Sequence, residues 1–200
     1  MLVEGAYIVG LVLACLLTLW IAYRAWLNRE TAGATALGAT ALLSAIWAGG
    51  QIGVSLATGD VATLRWHQFS YIGIVWTPVA FAVLALSYTG YNRYLTRRVV
   101  ASLVAAGGVF LALIWTNPAH HLYWTDTTAK PTVLHGISIS PGPAFWLFVL
   151  FSYALLLVGS ALLVRYALTA PDLYRVQTNA LLLAVAAPWA ANIPSSLQLV

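Results

Sequence analysis

Six stretches free of Asp, Glu, Lys and Arg, at 5–23, 31–59, 66–92, 99–125, 131–164 and 176–200, take up almost all of a 200-residue chain. Each is long enough to cross a bilayer, because roughly 20 apolar residues rising about 1.5 Å apiece cover a hydrocarbon core of about 30 Å. The predicted fold class is therefore all-α, a polytopic membrane helix bundle, with the lipid bilayer as its first partner. At 62% hydrophobic and 7% charged, with a mean hydropathy of +0.86, the chain lies far outside soluble proportions. The spans leave no segment for a second core, so residues 1–200 read as one domain. The lone Cys15, inside an apolar run, excludes a disulfide framework.

Trimming the runs at Gly, Pro and charge clusters predicts helices at 6–26, 33–57, 67–88, 99–115, 143–167 and 173–191. Arg24, Arg29, Arg93, Arg97, Arg98, Arg165 and Arg175 then fall on one side of the membrane, and only Arg65 and Lys130 on the other. The excess of basic residues in short loops marks the cytoplasmic side, which puts the N-terminus outside. Scattered in this way, the basic residues set orientation, and no nucleic-acid partner is expected. Acidic Glu4 before the first span, with arginines after it, reads as an uncleaved start helix and not as a signal peptide. Six crossings from an outside start leave Val200 outside, which predicts a chain truncated before a seventh helix.

On the second predicted helix, Ala41, Ala45, Gly49, Gly53 and Ala57 form a small-residue ridge at i+4 steps. Such a ridge permits close backbone approach in lipid, against a neighbouring helix of the same chain or across a dimer seam. Pro78 and Pro188 each remove a backbone donor, and a kink is expected at both. The polar residues inside spans are few: Gln51, Tyr71, Ser152, Tyr153, Asn179 and Asn192, with scattered Ser and Thr. They read as interhelical glue or as the lining of a small-ligand pocket. No Asp, Glu, Lys or Arg lies at midspan, which argues against a proton pump or ion-coupled transporter. The only lysine, Lys130, lies in a loop, so a buried retinal Schiff base is excluded and no cofactor is expected. Trp26, Tyr88, Tyr91 and Tyr94 on the inner side, and Trp66, Trp115, Tyr123, Trp124 and Trp146 on the outer side, read as the two aromatic belts.

Residues 116–142 form the one sizeable loop, on the outer side. Its alternation at Val133, His135, Ile137 and Ile139 suggests a short strand, paired in a hairpin with 122–125 and capping the bundle. His120, His121, His135 and Asp126 in this loop lack the regular spacing of zinc motifs, so no metal is expected there. His67 opens the third predicted helix on the same side, making all four histidines extracytoplasmic. With no cytoplasmic His and no glycine-rich phosphate loop, kinase chemistry has no place in this chain. Cys15 has no His or carboxylate on its helix to activate it, so no catalytic residue is assigned.

Three segments taken together carry a family resemblance: WHQFSYIGIVWTPVAFAVLALSYTG at 66–90, TNPAHHLYW at 116–124 and PWAANIPSS at 188–196. They resemble the N-terminal seven-helix sensor region that precedes bacterial and archaeal histidine kinases and, in some proteins, diguanylate cyclases. The family's helix 3 marks match Tyr71, Gly73 and Pro78, closing on Tyr88, Thr89 and Gly90. Its Thr-Asn-x-x-His after helix 4 falls on Thr116, Asn117 and His120, with Trp124 following. Its helix 6 Pro and Asn match Pro188 and Asn192. Set against the family, the chain is expected to stop before the seventh helix and the cytoplasmic output modules.

The resemblance implies a membrane-embedded input region of a two-component sensor histidine kinase. It would relay a ligand or membrane stimulus to an output module outside this chain, with homodimerisation through that module. A small molecule or lipid would act at the outer mouth, where Gln51, Trp66, His67, Tyr71, Asn117, His120, Trp124 and Asn192 are the candidate contacts. The alternatives are a small transporter or channel unit, which would need a polar cavity or an inverted repeat that the sequence does not display, and a structural membrane subunit.

Overall fold

The computed structural model describes residues 2–130 and 136–169. Five helices among them are long and apolar enough to cross a membrane: α1 (Leu2–Leu27), α2 (Ala34–Leu56), α3 (Asp60–Tyr88), α4 (Arg97–Trp115) and, after the loop, α6 (Pro143–Thr169). A one-turn helix α5 (Asn117–His120) and a hairpin of β1 (Trp124–Lys130) and β2 (Gly136–Pro141) lie between α4 and α6. The chain is an all-α polytopic bundle, with the hairpin at one end and Arg24, Arg29, Arg93, Arg97 and Arg98 at the other. The sixth predicted helix, with Pro188 and Asn192, lies outside the described residues.

Helix ends follow local chemistry. Gly33 (φ 81°) and Gly90 (φ 81°) hold the left-handed conformation that a residue with a Cβ resists, at the two turns of the arginine end. Thr96 caps α4 by accepting from the Val99 N–H at 3.3 Å. α3 starts at Asp60 and not at His67, because Asp60 suits the positive end of the helix dipole and only residues 57–59 are needed to turn the chain. This corrects the sequence reading: Arg65 and His67 lie within α3, and Arg65 is no loop residue. α3 remains helical across Pro78.

α3 is the hub. It packs against α2 along most of its length and also meets α4, α6 and β1, while α1 rests mainly on α2. Close approach depends on glycine: a Cβ on Gly50 would strike Ser70, one on Gly53 would strike the Trp66 ring, and one on Gly73 would strike the Leu43 carbonyl. On the other sides of α3, a Cβ on Gly107 would meet the Trp76 indole and one on Gly159 the Phe81 ring. The small-residue ridge of α2 is divided between neighbours. Ala41 and Ala45 are buried, with the Cys15 thiol of α1 reaching the Ala45 carbonyl at 3.7 Å, whereas Gly53 faces α3 and Gly49 has open space beside it. Polar clips join α3 to α4 at two levels: Trp76 Nε1 donates to the Val104 carbonyl (3.3 Å) and Gln68 Nε2 to that of Ile114 (3.2 Å).

The loop is a hairpin, as expected, but its first strand begins at Trp124 and runs to Lys130, antiparallel to β2 with Thr127 opposite Ile139. Leu122 and Tyr123 lie before the ladder because their carbonyls serve another purpose. They accept from Ala144 and Gly142 (3.0 and 2.9 Å), fastening the loop to the first turn of α6.

Candidate functional site

The Thr116-Asn-Pro segment builds the hairpin end from the backbone outwards. Pro118 starts the single turn of α5, and His121, at φ 51°, closes it in the left-handed region. That reversal carries the chain back over Asn117, whose side chain is buried. Its Oδ1 accepts from the N–H groups of Tyr123 (2.9 Å) and Trp124 (3.0 Å), and its Nδ2 donates to the Trp124 carbonyl (3.0 Å). One amide therefore satisfies three backbone groups that would otherwise be buried without partners. His120 supports the turn from outside. Its Nδ1 accepts from the Leu122 N–H at 3.0 Å, which leaves Nε2 as the protonated nitrogen facing Thr116 Oγ1 at 3.1 Å, and that hydroxyl in turn donates to the Ala112 carbonyl at 2.7 Å.

Fixed in this way, Tyr123 and Trp124 enter the bundle at 0% and 1% exposure. Both were expected in the interfacial belt. The Asn117 turn instead aims them inward, where they pack with Tyr71 and Val75 of α3, Ile114 of α4, and Ala144 and Phe148 of α6. Tyr71 is the centre of the rings, edge-on to His67 (5.3 Å between centroids), Trp124 (5.5 Å), Tyr123 (5.6 Å) and Phe148 (6.4 Å). His67 also lies against Trp124 at 5.6 Å. Such edge-on pairs contribute about 0.5–1.5 kcal/mol each beyond the area they bury.

Polar atoms inside this apolar setting stand out. His67 Nε2, Tyr123 Oη and Trp124 Nε1 are all shut off from solvent and lack a well-formed hydrogen bond. Tyr123 and Trp124 both turn their polar edges toward Tyr71. Burial, and then the neighbouring Tyr71, push the Tyr123 phenol far above its ordinary range, so it stands as a neutral donor. Each orphaned group costs about 1–3 kcal/mol, and such groups mark places that a water or ligand completes. The set is rich in donors, since an indole N–H only donates, and it suits a small group bearing an acceptor oxygen. Among the described residues no three of His, Cys, Asp or Glu converge as metal ligands would.

Of the residues singled out in sequence, His67, Tyr71, Asn117 and Trp124 come together here, with His120 bracing the turn. Trp66 does not join them: it is 43% exposed, meets Phe69 edge-on at 5.7 Å and covers Gly53. Gln51 is half-buried on α2, apart from the cluster, and Asn192 lies outside the described residues. Sequence reasoning missed Phe148 and Gln68, and it read Tyr123 as a belt residue. Gln68 had a visible signal, an uncharged amide beside His67 one helical turn before Tyr71.

Residues 10–200 match the family model for the N-terminal 7TM region of histidine kinase. No curated protein and no solved structure matches the chain.

Proposed function

The chain belongs to the family of N-terminal 7TM regions of histidine kinases, a multi-pass membrane input region that is not itself catalytic, and from that premise we propose that its hairpin end is where the signal acts. In this reading a small molecule or lipid group carrying an acceptor oxygen engages the ring cluster of His67, Tyr71, Tyr123 and Trp124. The arginine end faces the cytoplasm, and an output module beyond this chain, joined as a homodimer, receives the bias. A ligand shifts such an equilibrium only by its differential affinity for the two packings. Polar groups buried beside the central helix with incomplete hydrogen bonds supply that differential, because a packing that completes them is favoured over one that does not.

The observation carrying this reading is the set of His67 Nε2, Tyr123 Oη and Trp124 Nε1, buried around Tyr71 without well-formed hydrogen bonds, beside α3, which among the described helices packs against α2, α4 and α6. The test uses the full-length kinase reconstituted in liposomes, with autophosphorylation as the readout. His67→Phe and Trp124→Phe keep an aromatic ring at each position and remove its polar nitrogen, and each is expected to shift basal output by roughly fivefold or more. Trp66→Phe, outside the cluster, serves as the control. Output equal to that control in both variants refutes the site.

A further inference from the structure

At the opposite end, a cleft of about 370 Å³ opens between α1, the start of α2 and the end of α3. Its walls are Trp20, Ala25, Leu37, Leu84 and Tyr88, and Arg24 stands at its rim. The Gly33 turn shapes it: at φ 81°, a conformation that suits glycine, the chain enters α2 beside Leu84 and Tyr88. Arg24 is exposed, its guanidinium lies 5.8 Å from the centre of the Trp20 ring, and among the described residues no carboxylate lies within ion-pair distance of it. Arg29, in the turn after α1, stacks over Trp26 at 5.3 Å and is offset by Glu30 at 3.9 Å, which leaves Arg24 as the unpaired charge at the cleft. An apolar slot long enough for part of an acyl chain is thus topped by an unpaired guanidinium at headgroup depth.

We infer that this cleft holds an anionic phospholipid of the leaflet facing the arginine end, its phosphate on Arg24 and one acyl chain along Leu37 and Leu84. Charge complementarity selects the occupant. Guanidinium pairs with phosphate through parallel N–H donors, and basic pockets between membrane helices are suited to anionic headgroups. A zwitterionic lipid offers the same phosphate, but its ammonium offsets the attraction. The inference is independent of the ligand site at the hairpin end and rests only on the cleft and its charge.

The test is photocrosslinking of the complete chain in nanodiscs, with a diazirine-bearing phosphatidylglycerol or the matching phosphatidylcholine present at equal dilution. The phosphatidylglycerol probe is expected to label peptides within residues 20–37 and 84–88. Arg24→Gln is expected to lower that labelling roughly fivefold, about the attraction of one arginine near a membrane surface. Arg93→Gln, at the same end but engaged with Tyr94 at 2.8 Å, is expected to leave it unchanged. Equal labelling by the two lipids, or labelling that misses these peptides because another segment of the chain fills the cleft, overturns the inference. If Arg24→Gln does not fold, the comparison of the two lipids on the unaltered chain still decides.

Discussion

The hairpin end and the α1 side of the bundle use similar apolar residues to opposite effect. At the hairpin end, side chains from α3, α4, α6 and the loop converge, and Tyr123, Trp124 and Ile114 are buried to within 1%. Along α1, Leu13, Leu16, Leu17 and Trp20 are each more than half exposed, and among its described side chains only Ala25 is buried. Hydropathy does not separate the two regions, because both are apolar. The difference lies in directional polar groups: Asn117, Gln68 and the Leu122 and Tyr123 carbonyls hold one end in register, while α1 has the weak thiol contact of Cys15. In lipid, where water exclusion does not drive helices together, such anchors decide which contacts are firm.

The sharpest way to break this contrast is Asn117→Ala. It leaves the N–H groups of Tyr123 and Trp124 and the Trp124 carbonyl unpartnered in a buried setting. At about 1–3 kcal/mol per orphaned group, the loss is expected to reach about 3 kcal/mol or more. Thermal unfolding in detergent measures it, and a loss below 1 kcal/mol would show that the hairpin is held by its rings alone.

A glycine exchange sharpens the contrast further. A Cβ on Gly142 would meet the Leu122 carbonyl, so Gly142→Ala forces backbone apart at a cost of about 2 kcal/mol. Gly90, at the arginine end, has φ 81° and open space around it, so Gly90→Ala carries only the conformational penalty, about 1 kcal/mol. Gly90→Asn should recover most of that loss, because Asn tolerates the left-handed region, whereas Gly142→Asn should recover none. The same melting assay scores all four variants. The smallest effect is expected from Leu13→Ala on the outward face of α1, where the side chain is mostly exposed and stability should stay within about 0.5 kcal/mol of the parent.

The spans were legible because lipid leaves a sequence little freedom: any segment crossing it must be long and apolar. Five of the six predicted helices are present at the expected places, and the sixth lies outside the described residues. The start of α3 is hidden in the sequence because Arg65 bounds the charge-free run, yet this residue extends from the exposed outer turn of the helix without penalty. The candidate site was only half legible. His67, Tyr71, Asn117 and Trp124 were named, but an aromatic near a span end carries no mark of whether it faces lipid or core. For Tyr123 and Trp124 that choice is made by the side chain of Asn117, six and seven residues earlier. Phe148, from a helix that follows the loop, enters through tertiary packing alone.

The bonds from Gln68 and Trp76 to α4 clamp the hairpin half of α3 against its neighbour. Sliding α3 past α4 would break both, so motion that preserves them is a swing of the part of α3 beyond Trp76, growing with distance from that clip. From residue 76 to residue 88 the lever arm is about 18 Å, and a tilt of about 3° displaces the far tip by about 1 Å. A disturbance too small to notice at the fulcrum is thereby enlarged where α3 gives way to the Gly90 turn.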